Sequence, residues 1–127
     1  GVRMMKKICN AMLVGGALVA LSAHADGDAA RGKKVFEECA ACHSLEKGVN
    51  GVGPTLNGVF DRKAGELADF RFSPAMKRSG LAWSARTLDL FIADPQAEIK
   101  GNRMPYSGIA DAKDRADLIE YLKTATK

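Results

Sequence analysis

Two cysteines three positions apart, followed at once by a histidine, make Cys39-Ala40-Ala41-Cys42-His43 the most reactive stretch of the chain. This Cys-x-x-Cys-His string is an attachment pattern for c-type haem. On one helical turn the two thiols lie on the same side, placed to form thioether bonds with both vinyl groups of a porphyrin. The imidazole that follows can then offer a nitrogen to the iron. The same five residues also admit a thioredoxin-like redox pair, half of a zinc site or a structural disulfide. The choice depends on which other cysteines and histidines belong to the working protein.

The first 25 residues read as a secretory signal. Met4-Met5-Lys6-Lys7 is a short positive start, and Gly1-Val2-Arg3 ahead of it has no readable role. Ala11 to Leu21 is an unbroken run of apolar residues and glycine, and Ala23-His24-Ala25 puts small residues where a signal peptidase reads. A charged start, an apolar run of about 7–15 residues and an A-x-A site define such a signal. The run is too short for a membrane anchor, which needs about 20 apolar residues. Cys9 precedes the run, so it is not a lipid-modified residue at a cleavage site. Cleavage is expected after Ala25, leaving residues 26–127 as one small domain, with no transmembrane segment.

Removing the signal sharpens both charge and inventory. Without Arg3, Lys6 and Lys7, the 19 basic residues fall to 16 against 15 acidic, a net of +1 instead of +4. The basic balance is largely a targeting feature and gives no support to nucleic-acid binding. Cys9 and His24 leave with the signal, so every remaining cysteine and histidine lies in the pentapeptide. A structural zinc site needs four protein ligands, and no further Cys or His supplies them. A Cys39–Cys42 disulfide leaves His43 unexplained. Haem is therefore the reading, and in so small a domain it would also be the staple that holds the core.

The elements around the pentapeptide read as helices joined by long loops. Asp28 caps a first helix that runs through Lys33, Lys34, Val35 and Phe36 to the cysteines. Gly32 and Phe36 share a face of it. A glycine inside a helix costs about 0.5–1 kcal/mol against alanine, which points to close approach by another element, or merely to a softened short helix. Ser44 to Gly65, rich in glycine and containing Pro54, is irregular loop. Ser73 caps a short helix with Pro74 in its first turn, which Gly80 should stop. A further helix runs from Ser84 to about Ala93 with Leu88, Phe91 and Ile92 on one face, ended by Pro95. The longest helix spans Asp111 to Thr126, with acidic residues near its start and lysines near its end, matching the helix dipole. Its apolar stripe is Leu118, Tyr121, Leu122 and Ala125. No segment alternates as a strand does, so the expected class is all-α.

Taken together, these residues resemble class I c-type cytochromes of the bacterial cytochrome c2 and mitochondrial cytochrome c kind, over essentially all of residues 26–127. The resemblance rests on Gly32-x-x-x-Phe36, on Cys39, Cys42 and His43, on Gly53-Pro54-Thr55-Leu56, and on Arg62, Gly65 and Trp83. It extends to Lys100-Gly101-Asn102-Arg103-Met104, and to Leu118 and Tyr121 in the closing helix. It implies a small cytochrome c fold: terminal helices crossing at Gly32, one haem c attached through two thioethers in the core, and long loops. It also implies that the Pro54 carbonyl orients His43, and that Arg62 and Trp83 face the haem propionates. The plainer alternatives are core packing for Trp83 and a solvated surface charge for Arg62.

The second iron ligand is a choice between Met76 and Met104. Met104 sits between Gly101 and Pro105, in a stretch able to curve over a haem face. Met76 lies in the short helix after Ser73, where methionine usually fills gaps. The resemblance selects Met104, and pairing a thioether with histidine raises a haem potential. Some positions depart from the family: Phe72 and Phe91 stand for tyrosines, Met76 for an asparagine and Glu38 for a lysine. Lys34, Lys47, Lys100, Arg103 and Lys113 are left as a mixed patch.

The function implied is single-electron transfer, not enzymatic turnover, because the sole histidine is committed to iron. The expected partners are a quinol–cytochrome c reductase, a dehydrogenase or a terminal oxidase. The expected protein is a soluble monomer in a bacterial periplasm. Two other readings are a dedicated subunit of one dehydrogenase or oxidase complex, and a haem reactive toward gases or peroxide should the methionine bond be labile.

Overall fold

Asp28 is the N-cap of the first helix: its carboxylate accepts from the backbone N–H groups of Ala30 and Arg31 at 3.0 and 3.2 Å. The computed structural model describes residues 15–16 and 27–127. The expected signal and its cleavage site at Ala25 lie, Gly15 and Gly16 apart, outside the described residues. Among the described residues there are six helices: α1 (Ala29–Val35), α2 (Glu37–Ala40), α3 (Pro74–Lys77), α4 (Ala85–Ala93), α5 (Pro95–Glu98) and α6 (Ala112–Ala125). Among the described residues the only strand-like pairing is an isolated bridge between Lys63 and Ala82. The class is all-α, as the sequence indicates.

The caps explain where each helix starts. Ser73 accepts from Met76 N–H at the head of α3, and Asp111 from Lys113 and Asp114 at the head of α6. Ser84 and Thr87 form a reciprocal capping box at α4, which satisfies two donors that the first turn leaves free. Three boundaries differ from expectation. The helix leading to the cysteines is interrupted by a turn at Phe36. Helix α3 ends at Lys77, with Gly80 in the left-handed region only three residues later. Pro95 does not simply end α4 but opens α5, where Asp94 caps through Ala97 N–H. A proline at the first helical position lacks only an N–H that would have had no partner there.

Packing joins the two ends of the chain. Helices α1 and α6 cross at Gly32, where a Cβ would collide with the Asp117 carbonyl. The crossing buries Phe36, Leu118 and Leu122 together with Ile109. A second cluster contains Val59, Ala64, Trp83, Leu88, Phe91, Ile99 and Ile119. Leu56, Phe60 and Ile92 pack against both clusters. Leu118 is 0% exposed, and fully burying such a side chain contributes about 1.5–3 kcal/mol.

Asp117 is the residue at this crossing that periodicity does not reveal. It too is 0% exposed. Its Oδ1 accepts from Asp28 N–H at 2.7 Å and from Lys113 Nζ at 2.6 Å, and its Oδ2 from Arg31 Nη1 at 2.6 Å. Arg31 and Lys113 form a roof that itself reaches water, their side chains 49% and 64% exposed. The Asp28 amide first, and then the Lys113 ammonium, hold the carboxyl well below the usual carboxylate range. A depressed folded-state value makes the stabilisation complete above the unfolded value of about 4. It is lost as pH falls further toward the folded value.

Asp117→Asn should therefore lower the melting temperature of the haem-loaded protein at neutral pH, with a cost of about 2 kcal/mol. The gap between parent and variant should close as pH is lowered from about 5 toward 2. A gap independent of pH in thermal melts would refute this account of Asp117.

Candidate functional site

Between the two clusters lies a cavity of about 410 Å³, within the usual range of about 300–1,000 Å³ for ligand sites. Every residue singled out for chemistry in the sequence lines it: Cys39, Cys42, His43, Pro54, Arg62, Trp83 and Met104. Most of the other walls are apolar.

The end of α2 and the loop that follows aim His43. Its backbone N–H bonds the Cys39 carbonyl at 2.9 Å, and Gly53 N–H bonds the Cys42 carbonyl at 2.8 Å. The ring then stands 2.7 Å, Nδ1 to oxygen, from the Pro54 carbonyl. A carbonyl can only accept, so Nδ1 carries the proton and Nε2 keeps its lone pair. A Cβ at position 53 would sit 2.5 Å from Cε1 of the ring, so only glycine lets the loop approach this closely. Burial lowers the imidazole below its usual value, Arg62 adds to that, and the Pro54 bond opposes it. The result is a neutral ring with one fixed tautomer, the form a metal takes.

Side chains rather than secondary structure hold this loop. Asn50 Oδ1 accepts from Thr55 N–H at 2.8 Å, and Thr55 Oγ1 donates to the Glu46 carbonyl at 2.7 Å. Arg62 donates to the Thr55 and Asn57 carbonyls at 3.0 and 3.1 Å. It is thus a half-buried brace for the loop, not the solvated charge the residue type alone allows. Trp83 is buried, packs at 5.1 Å on Phe91 and walls the cavity. The three apolar departures, Phe72, Phe91 and Met76, line the same cavity.

Cys39 and Cys42 are not bonded to one another. Burial pushes the Cys39 thiol up to about 11, helped by the charges of Glu38 and Cys42. Thiol redox exchange is favoured by a lowered value, the opposite of what burial imposes on Cys39. Both methionines reach the cavity. Met76 comes from α3, with its N–H on the capping Ser73. Met104 comes from a loop organised by Asn102, which is 7% exposed. The Asn102 amide donates to the Pro95 and Ile99 carbonyls, both at 2.9 Å, and its Oδ1 accepts from Met104 N–H at 2.8 Å.

One contact of this region has no signature in the sequence. Tyr106 Oη donates to Glu38 Oε2 at 2.6 Å across 68 positions of sequence. Burial, and then the Glu38 carboxylate, raise the Tyr106 phenol above its ordinary value. Lys113 is engaged by Asp117, which takes it out of the expected patch of free cations. Lys34, Lys47, Lys100 and Arg103 remain exposed.

An imidazole fixed with a free lone pair, a thioether and two unbonded thiols, all lining one apolar cavity of an all-α chain, fit a covalently held haem. That donor set and fold define a c-type haem protein. The cytochrome c family model matches residues 29–126. The chain is 44% identical over 122 residues to cytochrome c2 of Rhodomicrobium vannielii, covering 94% of this chain and 97% of that one. It is 51% identical over 89 residues to cytochrome c2 iso-2 of Magnetospirillum fulvum, covering 70% and 93%. Cytochrome cH from Methylobacterium extorquens superposes with a TM-score of 0.73 at 52% identity, covering 77% of this chain and 99% of that one. The chain belongs to the cytochrome c family. As such it carries one covalent haem c with its iron and transfers electrons rather than catalysing a reaction. No helix of the described residues is long and apolar enough to cross a membrane.

Gly53→Ala should push the His43 ring off the Pro54 carbonyl. The expected result is a haem-loaded protein that melts several degrees lower, by roughly 1–3 kcal/mol, with a displaced His43 Nδ1–H resonance. An unchanged resonance would mean the loop yields instead.

Proposed function

We propose that Cys39 and Cys42 would hold the haem covalently through two thioethers, and that His43 Nε2 and the Met104 sulfur would bind its iron. The observation that carries this is the His43–Pro54 bond of 2.7 Å inside a cavity that Met104 also lines. When bound, the haem supplies an iron that changes by one electron between Fe(II) and Fe(III). His43 needs no proton movement for this, because Pro54 already holds its Nδ1–H. Met104 contributes a soft sulfur that favours the reduced metal. Arg62, braced by two carbonyls, keeps further N–H groups for a propionate, and Trp83 offers its indole N–H to the same end. The apolar walls keep water out and set the dielectric around the site.

In this reading residues 1–25 are a signal removed on export, and residues 26–127 are a monomeric periplasmic carrier. Its partners are a quinol–cytochrome c reductase, a dehydrogenase or a terminal oxidase. The +1 balance of residues 26–127 and the engagement of Lys113 by Asp117 favour a second arrangement, a dedicated electron-transfer subunit of one such complex. Electron-transfer rates that fall steeply with ionic strength mark the free carrier, whereas rates indifferent to salt and co-purification with one enzyme mark the subunit.

Replacing Met104 with alanine should abolish the long-wavelength sulfur–iron absorption band of the oxidised protein and lower its reduction potential, while Met76→Ala leaves the band in place. Survival of the band in Met104→Ala, or its loss in Met76→Ala, would transfer the ligand role to Met76.

A further inference from the structure

The segment carrying Met104 is secured at both ends to the same side of the molecule. Before Met104, Asn102 ties it to the carbonyls of Pro95 and Ile99, and Gln96 bonds the Asn102 carbonyl at 2.9 Å and Gly101 N–H at 3.1 Å. After Met104, Ile109 N–H bonds the Ile92 carbonyl at 2.9 Å, at the end of α4. These anchors belong to α4, to α5 and to the turn that follows it. None of them reaches the α1–α2 side, where Cys39, Cys42 and His43 stand. Among the described residues, one side-chain hydrogen bond joins residues 104–108 to that side: Tyr106 Oη to Glu38 Oε2 at 2.6 Å. Its two partners are placed to matter. Glu38 directly precedes Cys39, and Tyr106 N–H bonds the Met104 carbonyl at 2.9 Å, so the position of one residue fixes the other. Both side chains line the haem cavity. Glu38 also borders a separate shallow groove formed with Lys34, Val35 and Ile109, so the bond lies along the partition between cavity and solvent.

We propose that Tyr106 and Glu38 form a clasp that closes the methionine segment against the haem-attachment helix, acting as positioning residues that set how often Met104 leaves the iron. A thioether is a weak ligand, so its occupancy depends on the population of the closed segment as well as on the bond itself. A phenol donating to a carboxylate is among the stronger neutral-to-charged hydrogen bonds. Its loss shifts the segment toward open forms while the anchors at Asn102 and Ile109 stay made. Glu38 thereby has a role that the lysine of the resembled family could not fill in the same way, since an ammonium cannot accept from a phenol.

The inference rests on Met104 as the ligand, and imidazole binding to the oxidised, haem-loaded protein tests the two separately. Imidazole takes the iron position only when the methionine is away, so its apparent affinity reports the open population. Tyr106→Phe and Glu38→Ala should each raise that affinity by about tenfold, and the double variant should rise no further than either single one. Glu38→Gln, which retains a neutral acceptor, should rise less than Glu38→Ala. A merely structural contact would lower the melting temperature and leave imidazole affinity unchanged. If the parent has the sulfur–iron band and both single variants bind imidazole within twofold of it, the clasp is wrong and the ligand assignment stands. Effects that add fully in the double variant would likewise overturn the pairing. Absence of the band in the parent would instead overturn the Met104 reading on which the clasp depends.

Discussion

The contact between Gly32 and the backbone of Asp117 decides how the two ends of the chain meet, and the rest of the fold depends on it. With no side chain at position 32, α1 and α6 approach closely enough for the Asp117 carboxylate to meet Asp28, at the head of α1. A buried carboxylate is costly unless every lone pair is used. Asp117 is satisfied by one amide and two cations, so the cost of burial is offset where the helices touch. Helix α1 leads directly into α2 and the haem cysteines. Helix α6 supplies Leu118 and Leu122 to the cavity wall. Fixing the crossing therefore fixes one wall of the haem site relative to its attachment point.

The remaining walls are loops, and this follows from the shape of what they enclose. A flat apolar disc must be surrounded on two faces and most of its edge, which short straight helices cannot do alone. The loops make up for absent secondary structure with side-chain hydrogen bonds to backbone. Asn50 and Thr55 hold the segment that presents Pro54, Arg62 ties that segment from behind, and Asn102 holds the one that presents Met104. Each side chain satisfies groups that would otherwise be buried without partners. The site is thus as well determined as a helical one, although His43 and Met104, the proposed ligands, come from differently built segments.

That division explains what the sequence makes legible. The caps at Asp28 and Ser73 and the apolar face of α4 are local patterns that appear in the structure as read, whereas Ser84 and Asp111, read as the first residues of their helices, prove to be their caps. The Pro54 bond to His43 is legible only through family resemblance, because nothing in eleven residues of irregular loop fixes where a carbonyl will point. Helix α5 escapes because Pro95 is equally a stop and a start, and the capping Asp94 decides which. Asp117 escapes because the apolar stripe is read by hydropathy, and a carboxylate counts there as outward-facing. Its burial is decided by Arg31 and Asp28, some 86 and 89 positions away. Tyr106 and Glu38 escape for the same reason.

The departures from the resembled family act on the site in opposite directions, and burial decides which effect wins. Phe72, Phe91 and Met76 replace polar side chains on the cavity wall. A more apolar wall penalises the oxidised iron, which carries the extra positive charge, and so favours the reduced state. Glu38 brings a negative charge to the rim, which favours the oxidised state. That charge works largely through water and is shared with the Tyr106 hydroxyl. Across water two unit charges about 4 Å apart interact by only about 1 kcal/mol, against several times that at lower effective dielectric. Phe91 is buried and Phe72 and Met76 are half-buried, so the replacements on the wall act at a lower effective dielectric than the Glu38 charge on the rim. The same three replacements take the hydroxyl and amide groups of the resembled family off the cavity wall. The geometry of this haem site is consequently left more to the loop braces at Arg62, Thr55 and Asn102, and less to direct polar contacts with the cofactor.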